Sequence, residues 1–175
     1  MITFDRENDR FNYRVVGVAF AGERVLLHRA ASDNFWTLPG GRVEMLEPSD
    51  FSLKREMLEE LGLKVEIERL LWWVENFFDY NGKNYHELAL YYLVTLPPDS
   101  EILQKEVFKG IEAGTDLTFR WFSPDVLAEL PIYPSFLKTG LKELPETPRH
   151  VIHHDEKKSA EMYLQDISEA MKPKG

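Results

Sequence analysis

The sequence predicts a layered domain of mixed α and β structure. Two observations carry this. Short runs rich in Val, Ile and aromatic residues recur along the chain, as strands require. Between them lies Ser49–Leu61, a stretch with helical spacing of apolar residues that ends at Gly62, a helix stop. Strands and helices that mix in this way pack as layers around shared apolar faces.

The elements follow in order. Arg14–Phe20 and Arg24–His28 are apolar runs split by Ala21-Gly22-Glu23, which predicts a hairpin. Trp36-Thr37-Leu38 runs into Pro39-Gly40-Gly41, a loop signal. Val65–Asp79 and Tyr85–Leu96 are aromatic and β-branched, and Asn81-Gly82 between them suits a two-residue hairpin turn. Leu117–Phe122 is a further strand. Ser123-Pro124-Asp125 starts a helix, with Ser123 as N-cap and Pro124 in the first turn. Phe136–Leu144 and Ser159–Met171 are expected helices, the latter within a C-terminal helical segment of about residues 157–172 that Pro173 stops. No linker long enough to part a second domain is found, so residues 1–175 are expected to form one.

Composition narrows the function. The chain has 175 residues, of which 43% are hydrophobic, enough for a core and against disorder. There is no cysteine, so a disulfide framework and a thiolate zinc site are excluded. The polar start and the lack of any long apolar run predict a cytoplasmic protein with no membrane contact. The net charge of −9 disfavours nucleic acid polymers, whose affinity rests on Lys and Arg. An anionic substrate would then need a local cation.

The segment Gly41–Leu63 offers a place for one. At helical spacing Glu56, Glu59 and Glu60 share one face, beside Leu53, Met57 and Leu61. Like charges so placed repel. Either this is a solvated acidic face, or a divalent cation reverses the sign of the interaction; Mg²⁺ takes a few carboxylate oxygens, with water and substrate phosphate completing its shell. Gly40 and Gly41 allow a close backbone approach, and Glu44 and Glu47 add nearby carboxylates.

Gly41, five residues, Glu47, seven residues, then Arg55-Glu56-Met57-Leu58-Glu59-Glu60-Leu61-Gly62-Leu63 resembles the Nudix box of the Nudix hydrolase superfamily. Every fixed position is matched. Met57 departs mildly at an aliphatic position, Leu46 stands where glycine often precedes the glutamate, and Leu61 where threonine is frequent. The resemblance implies a Nudix-type α/β/α sandwich with a mixed β-sheet. It implies that Glu56, Glu59 and Glu60 bind Mg²⁺ or Mn²⁺, with the Gly40 carbonyl as a further candidate ligand. It implies that Arg55 pairs with Glu47 to hold the loop, with Gly41 and Gly62 structural. The implied reaction is hydrolysis of a phosphate anhydride in a small nucleoside diphosphate derivative (a nucleotide sugar, an ADP-ribose-like compound or a nucleoside triphosphate) by water attacking phosphorus. The base is Glu56 or Glu59, or else Glu112 or Asp116 in the loop before Arg120-Trp121. Arg14, Arg29, Glu44 and Phe78 are candidate substrate contacts, as are His28 and Arg120.

Other features have plainer readings. Trp72, Trp73, Phe77 and Phe78 suit core or interface, and an aromatic hairpin suits a homodimer. His86-Glu87 reads as a structural pair, and His153-His154 as surface residues that point opposite ways. Two competing functions are a ligand-sensing module without turnover and a pyrophosphohydrolase acting on capped or triphosphorylated RNA. The intact carboxylates oppose the first; the acidity and lack of a basic run oppose the second.

Overall fold

The structure is a computed structural model and describes residues 1–155. The elements are β1 (Thr3–Arg6), β2 (Asp9–Ala21), β3 (Arg24–Ala30), α1 (Ser49–Leu61), β4 (Glu66–Tyr80), β5 (Lys83–Thr95), β6 (Val107–Lys109), β7 (Leu117–Phe122), α2 (Leu137–Gly140) and β8 (Arg149–His154). The expected segment at 157–172 lies outside the described residues. Among the described residues no helix is long and apolar enough to cross a membrane.

The strands form one mixed sheet in the order β6-β7-β3-β2-β5-β4-β8, with β1 added to β2. β2 runs parallel to β5 and β4 parallel to β8, while the other pairs are antiparallel. The α/β class and the mixed sheet are therefore as expected. The β4–β5 hairpin turns at Asn81-Gly82, both at positive φ (50° and 74°), the conformation that this dipeptide adopts readily.

Strand periodicity divides the apolar residues between two faces. Val15, Ala19 and Leu26 meet Leu53, Met57 and Leu61 of α1 on one face. Gly17 lies between them, and a Cβ there would come within 3.3 Å of Met57 Sδ. Val16, Val18, Leu27 and Tyr91 meet Leu127, Ile132, Leu137 and Leu141 on the other.

That second layer is less helical than expected. The helix from Ser123 is a single 3₁₀ turn, Pro124–Val126, in which Ser123 Oγ accepts from the Asp125 amide. The helix at Phe136–Leu144 shrinks to α2. One short turn is costly to nucleate alone, and here it is held by the buried Leu137 and Leu141. Three strands were not anticipated: β1, β6 and β8. Each is short, and their outward residues are mostly charged or polar.

The sheet parts between β2 and β3, which pair only at Phe20–Val25 and Ala21–Arg24. Residues 37–43 fill the split. Val15 N donates to Gly41 O and Gly17 N to Pro39 O, both at 2.9 Å, while His28 N donates to Thr37 O at 2.8 Å. The glycine loop is thus built into the sheet, directly under α1.

Candidate active site

Gly40 and Gly41 are required by contact. At Gly40, with φ of 140°, a Cβ would strike the Val15 carbonyl and lie 2.9 Å from Val16 Cα. At Gly41 a Cβ would occupy the space of the Glu56 carboxylate. The acid on the helix and the bare backbone of the loop therefore interlock.

Arg55 joins loop to helix. Its Nε and Nη2 each donate to Glu47 at 3.0 Å, a bidentate pair. Its Nη1 donates to Glu56 at 2.7 Å and to Glu59 at 3.0 Å, and Nη2 reaches the Arg42 carbonyl at 3.3 Å. Glu47 also accepts from Ser52 Oγ and the Glu44 amide. The Arg55 fork holds the Glu47 carboxyl down at about 2.

Glu60 is placed differently. Its side chain is buried, and among the described residues Oε2 has no hydrogen-bond partner. Burial pushes its carboxyl up to about 8; Arg14 opposes the rise, and Glu56 and Glu112 add to it. Burial also raises Glu56, against the pull of Arg55. Among the described residues no three carboxylate or imidazole groups converge on one point as metal ligands. Glu56 and Glu59 turn to Arg55 instead. The donor set nonetheless suits a hard divalent cation: carboxylate oxygens on one helix face, one of them buried without a partner.

The other expected residues are distributed as follows. Arg14 Nη2 donates to Gly40 O at 2.7 Å, so this guanidinium stands where the box meets the cleft described below. Glu112 is close enough to Glu60 to raise its carboxyl, in a loop anchored by Ile111 N to Glu60 O at 2.9 Å. Asp116 faces Lys109 at 2.6 Å. Arg29 lies over Trp36, 4.8 Å from the ring centre, and Arg120 pairs with Glu106 at 2.8 Å. Glu44 pairs with the terminal amine of Met1.

Beside the box a cleft of about 520 Å³ opens on the sheet face opposite α1. Phe78 lines it, stacked on Tyr85 at 4.8 Å. Arg14, Arg42, Asn12, Asn76 and Glu87 also line it. Sequence reasoning missed Asn12, Arg42 and Asn76. Asn76 carried a signal, since it sits in phase with Trp72, Val74 and Phe78 on a strand face that is otherwise apolar or aromatic.

Two readings of histidines change. Glu87 does not pair with His86, because adjacent strand residues face opposite sides; it accepts from Asn12 Nδ2 at 3.0 Å. His153 and His154 do point opposite ways but are not surface residues. His153 pairs with Asp155 at 2.9 Å, and His154 stacks on Phe77 at 4.7 Å.

A glycine loop built into a mixed sheet, locked to a carboxylate-lined helix, defines a protein class, and the family comparison agrees. The NUDIX domain model matches residues 11–142, and the chain belongs to that family, as a pyrophosphohydrolase acting on acid anhydrides. Relatives similar in sequence include two with named activities. The 8-oxo-dGTP diphosphatase of Buchnera aphidicola subsp. Schizaphis graminum (strain Sg) is 28% identical over 117 residues, covering 63% of this chain and 85% of that protein. The m7GpppN-mRNA hydrolase NUDT17 of Bos taurus is 30% identical over 105 residues, 55% of this chain but only 34% of that protein. Among solved structures, a NUDIX hydrolase from Nitrosomonas europaea has a TM-score of 0.58 at 22% identity, covering 82% of this chain and 78% of that one. A MutT protein from Bacillus halodurans also has 0.58, at 20% identity, covering 82% and 89%. These structural likenesses establish the fold.

Proposed function

We propose that the protein hydrolyses the phosphate anhydride of a small nucleoside diphosphate derivative with a divalent cation, Mg²⁺ or Mn²⁺. The observation that carries this is the placement of Glu56, Glu59 and Glu60 on one helix, with Arg14 acting on Glu56 and Glu60 and with Glu60 buried, one of its oxygens without a partner among the described residues. Glu56, Glu59 and Glu60 would hold the cation, with the Gly40 carbonyl adjacent. When bound, such a cation neutralises phosphate oxygens and makes water a better nucleophile near neutral pH.

The chain's own groups do the rest. Arg14 draws the diphosphate to the box end of the cleft. Arg55 and Glu47 hold the loop against the helix. Glu112, beside Glu60 and without an ion pair of its own among those described, takes the proton of the attacking water; Asp116 is tied to Lys109. The curated relatives act on an oxidised deoxynucleotide and on an mRNA cap, so the family name leaves the attached group open. The cleft's cations are Arg14 and Arg42, which supports a small substrate over an RNA polymer. Trp73 and Ile152, exposed on β4 and β8, supply a surface for a homodimer. Work in a reducing cytoplasm fits the cysteine-free sequence.

The test is a panel of ADP-ribose, sugar nucleotides, dinucleoside polyphosphates and nucleoside triphosphates, with and without Mg²⁺ or Mn²⁺. Cation-dependent release of phosphate-containing products is expected, lost in Glu59→Gln and Glu60→Gln. Full activity in those variants refutes the ligand assignment. Saturable binding across the panel with no hydrolysis supports the sensing module instead.

A further inference from the structure

Phosphate chemistry leaves part of the cleft floor unexplained. Asn12 on β2, Glu87 on β5 and Asn76 on β4 lie in register, one beside the next. Their side chains therefore form a single polar row across three strands. All three are buried. The adjacent row on the same face holds Ala89 and Val74, which are core. Burying polar groups at such a place is costly unless they are hydrogen-bonded.

The row is only partly satisfied from within. Arg42 Nε donates to Asn12 Oδ1 at 2.8 Å, and Asn12 Nδ2 donates to Glu87 Oε2 at 3.0 Å. A carboxylate accepts through both oxygens, so Glu87 keeps capacity to spare. Among the described residues the Asn76 side chain makes no hydrogen bond; its Oδ1 is buried and the residue lines the cleft, which leaves Nδ2 as the amide atom to face it.

The surroundings define what fits. On the next row Phe78 stacks on Tyr85, and Tyr80 meets Tyr85 edge-on at 6.1 Å. A planar ring can lie on these faces. The carboxylates of this part of the cleft are Asp33, Asp79, Glu87 and Asp155, while the cations Arg14 and Arg42 stand toward the box and are already bonded. The group bound here is flat, carries no negative charge and presents donors to a carboxylate.

The geometry points to a guanine-type base, read by the Asn12–Glu87–Asn76 row. Guanine alone among the common nucleobases has two adjacent donors, N1–H and the 2-amino group, on one edge. The Glu87 carboxylate accepts both. Asn76 Nδ2 donates to the neighbouring O6. Asn12, held by Arg42, keeps Glu87 in place and its charge turned to the cleft. This rests on the proposed hydrolytic reading only for which end of the substrate faces the box.

The test is therefore made without metal or turnover. In EDTA, calorimetric titration compares GMP, IMP (which lacks the 2-amino group), AMP and CMP. GMP is expected to bind about tenfold more tightly than IMP, and AMP and CMP more weakly again, since an unmet buried carboxylate is costly. Glu87→Gln keeps an oxygen for Asn12 and turns an N–H toward the ligand, so the preference for GMP over AMP should be lost. Equal affinities for all four nucleotides, or no measurable binding, overturn the inference, as does a GMP preference that survives Glu87→Gln. The wild-type comparison of GMP with IMP needs no variant to fold. Hydrolysis in the cation-dependent panel is judged separately, so either reading can fail alone.

Discussion

The Glu56 carboxylate occupies the space that a side chain at Gly41 would need. Gly40 next to it is crowded by main chain instead, against Val15 and Val16, at a φ of 140°. The two glycines therefore predict different losses. In Gly41→Ala the flexible end of Glu56 moves aside, so Mn²⁺ affinity should fall by about tenfold or more while the melting temperature barely changes. In Gly40→Ala the backbone must shift against strand β2, costing about 3 kcal/mol or more in urea unfolding. Equal destabilisation of both variants, with cation binding intact, contradicts the interlock.

Glu60 and His28 predict opposite pH slopes for the metal-free protein. Glu60 ionises near 4.5 when unfolded and is pushed up to about 8 when folded, mainly by burial. The folded state then holds the extra proton between those values, so stability falls as pH rises from about 4.5 to about 8. His28 is buried, and burial first, then Arg14, lowers it from 6.5 to about 3. The unfolded state holds the extra proton there, so this contribution is lost as pH falls from 6.5 toward 3. Glu60→Gln should flatten the alkaline limb measured in EDTA and leave the acid limb. An unchanged alkaline limb would show that Glu60 ionises freely in the fold.

Glu112 and Asp116 are close in sequence but unlike in setting. Glu112 raises the Glu60 carboxyl by its charge, whereas Asp116 is largely exposed and paired with Lys109. Glu112→Gln should lower kcat by about 10²–10⁴ with little change in KM, the range for removing a general base. Asp116→Asn should stay within about twofold, as expected of an exposed surface pair. The reverse ranking would move the base to the other side of the loop.

Which of these features the sequence reveals depends on the range of the interaction that makes them. Helix α1 and the β4–β5 hairpin are read from local signals, Gly62 and Asn81-Gly82, and both stand where expected. The Arg55–Glu47 pair is legible only through the resemblance of Gly41–Leu63 to the Nudix box, and it forms as that resemblance implies. β8 has no such signal: Arg149–His154 becomes a strand because it pairs in parallel with Trp72–Phe77, far away in the chain. The cleft floor is hidden for the same reason. Asn12, Asn76 and Glu87 are unremarkable polar residues until the strand register brings them side by side. His153 is drawn in by Ser135 Oγ at 3.2 Å and the Phe136 ring, both remote in sequence, while Asp155, two residues on, lies on the same side of the extended chain.

Leu46 offers a test of local strain at the box. It is 97% exposed, so it contributes almost nothing to the core, and its φ is +66°. A leucine in this left-handed conformation costs about 1–2 kcal/mol, whereas glycine adopts it freely but loses about 0.5–1 kcal/mol more entropy on folding. Leu46→Gly should therefore stabilise the metal-free protein by up to about 1 kcal/mol in urea unfolding. Glu47, the next residue, is held by Arg55 and Ser52 rather than by Leu46, so cation affinity should be unchanged. A loss of stability in Leu46→Gly would mean that the exposed leucine makes a contact in solution that offsets its backbone strain.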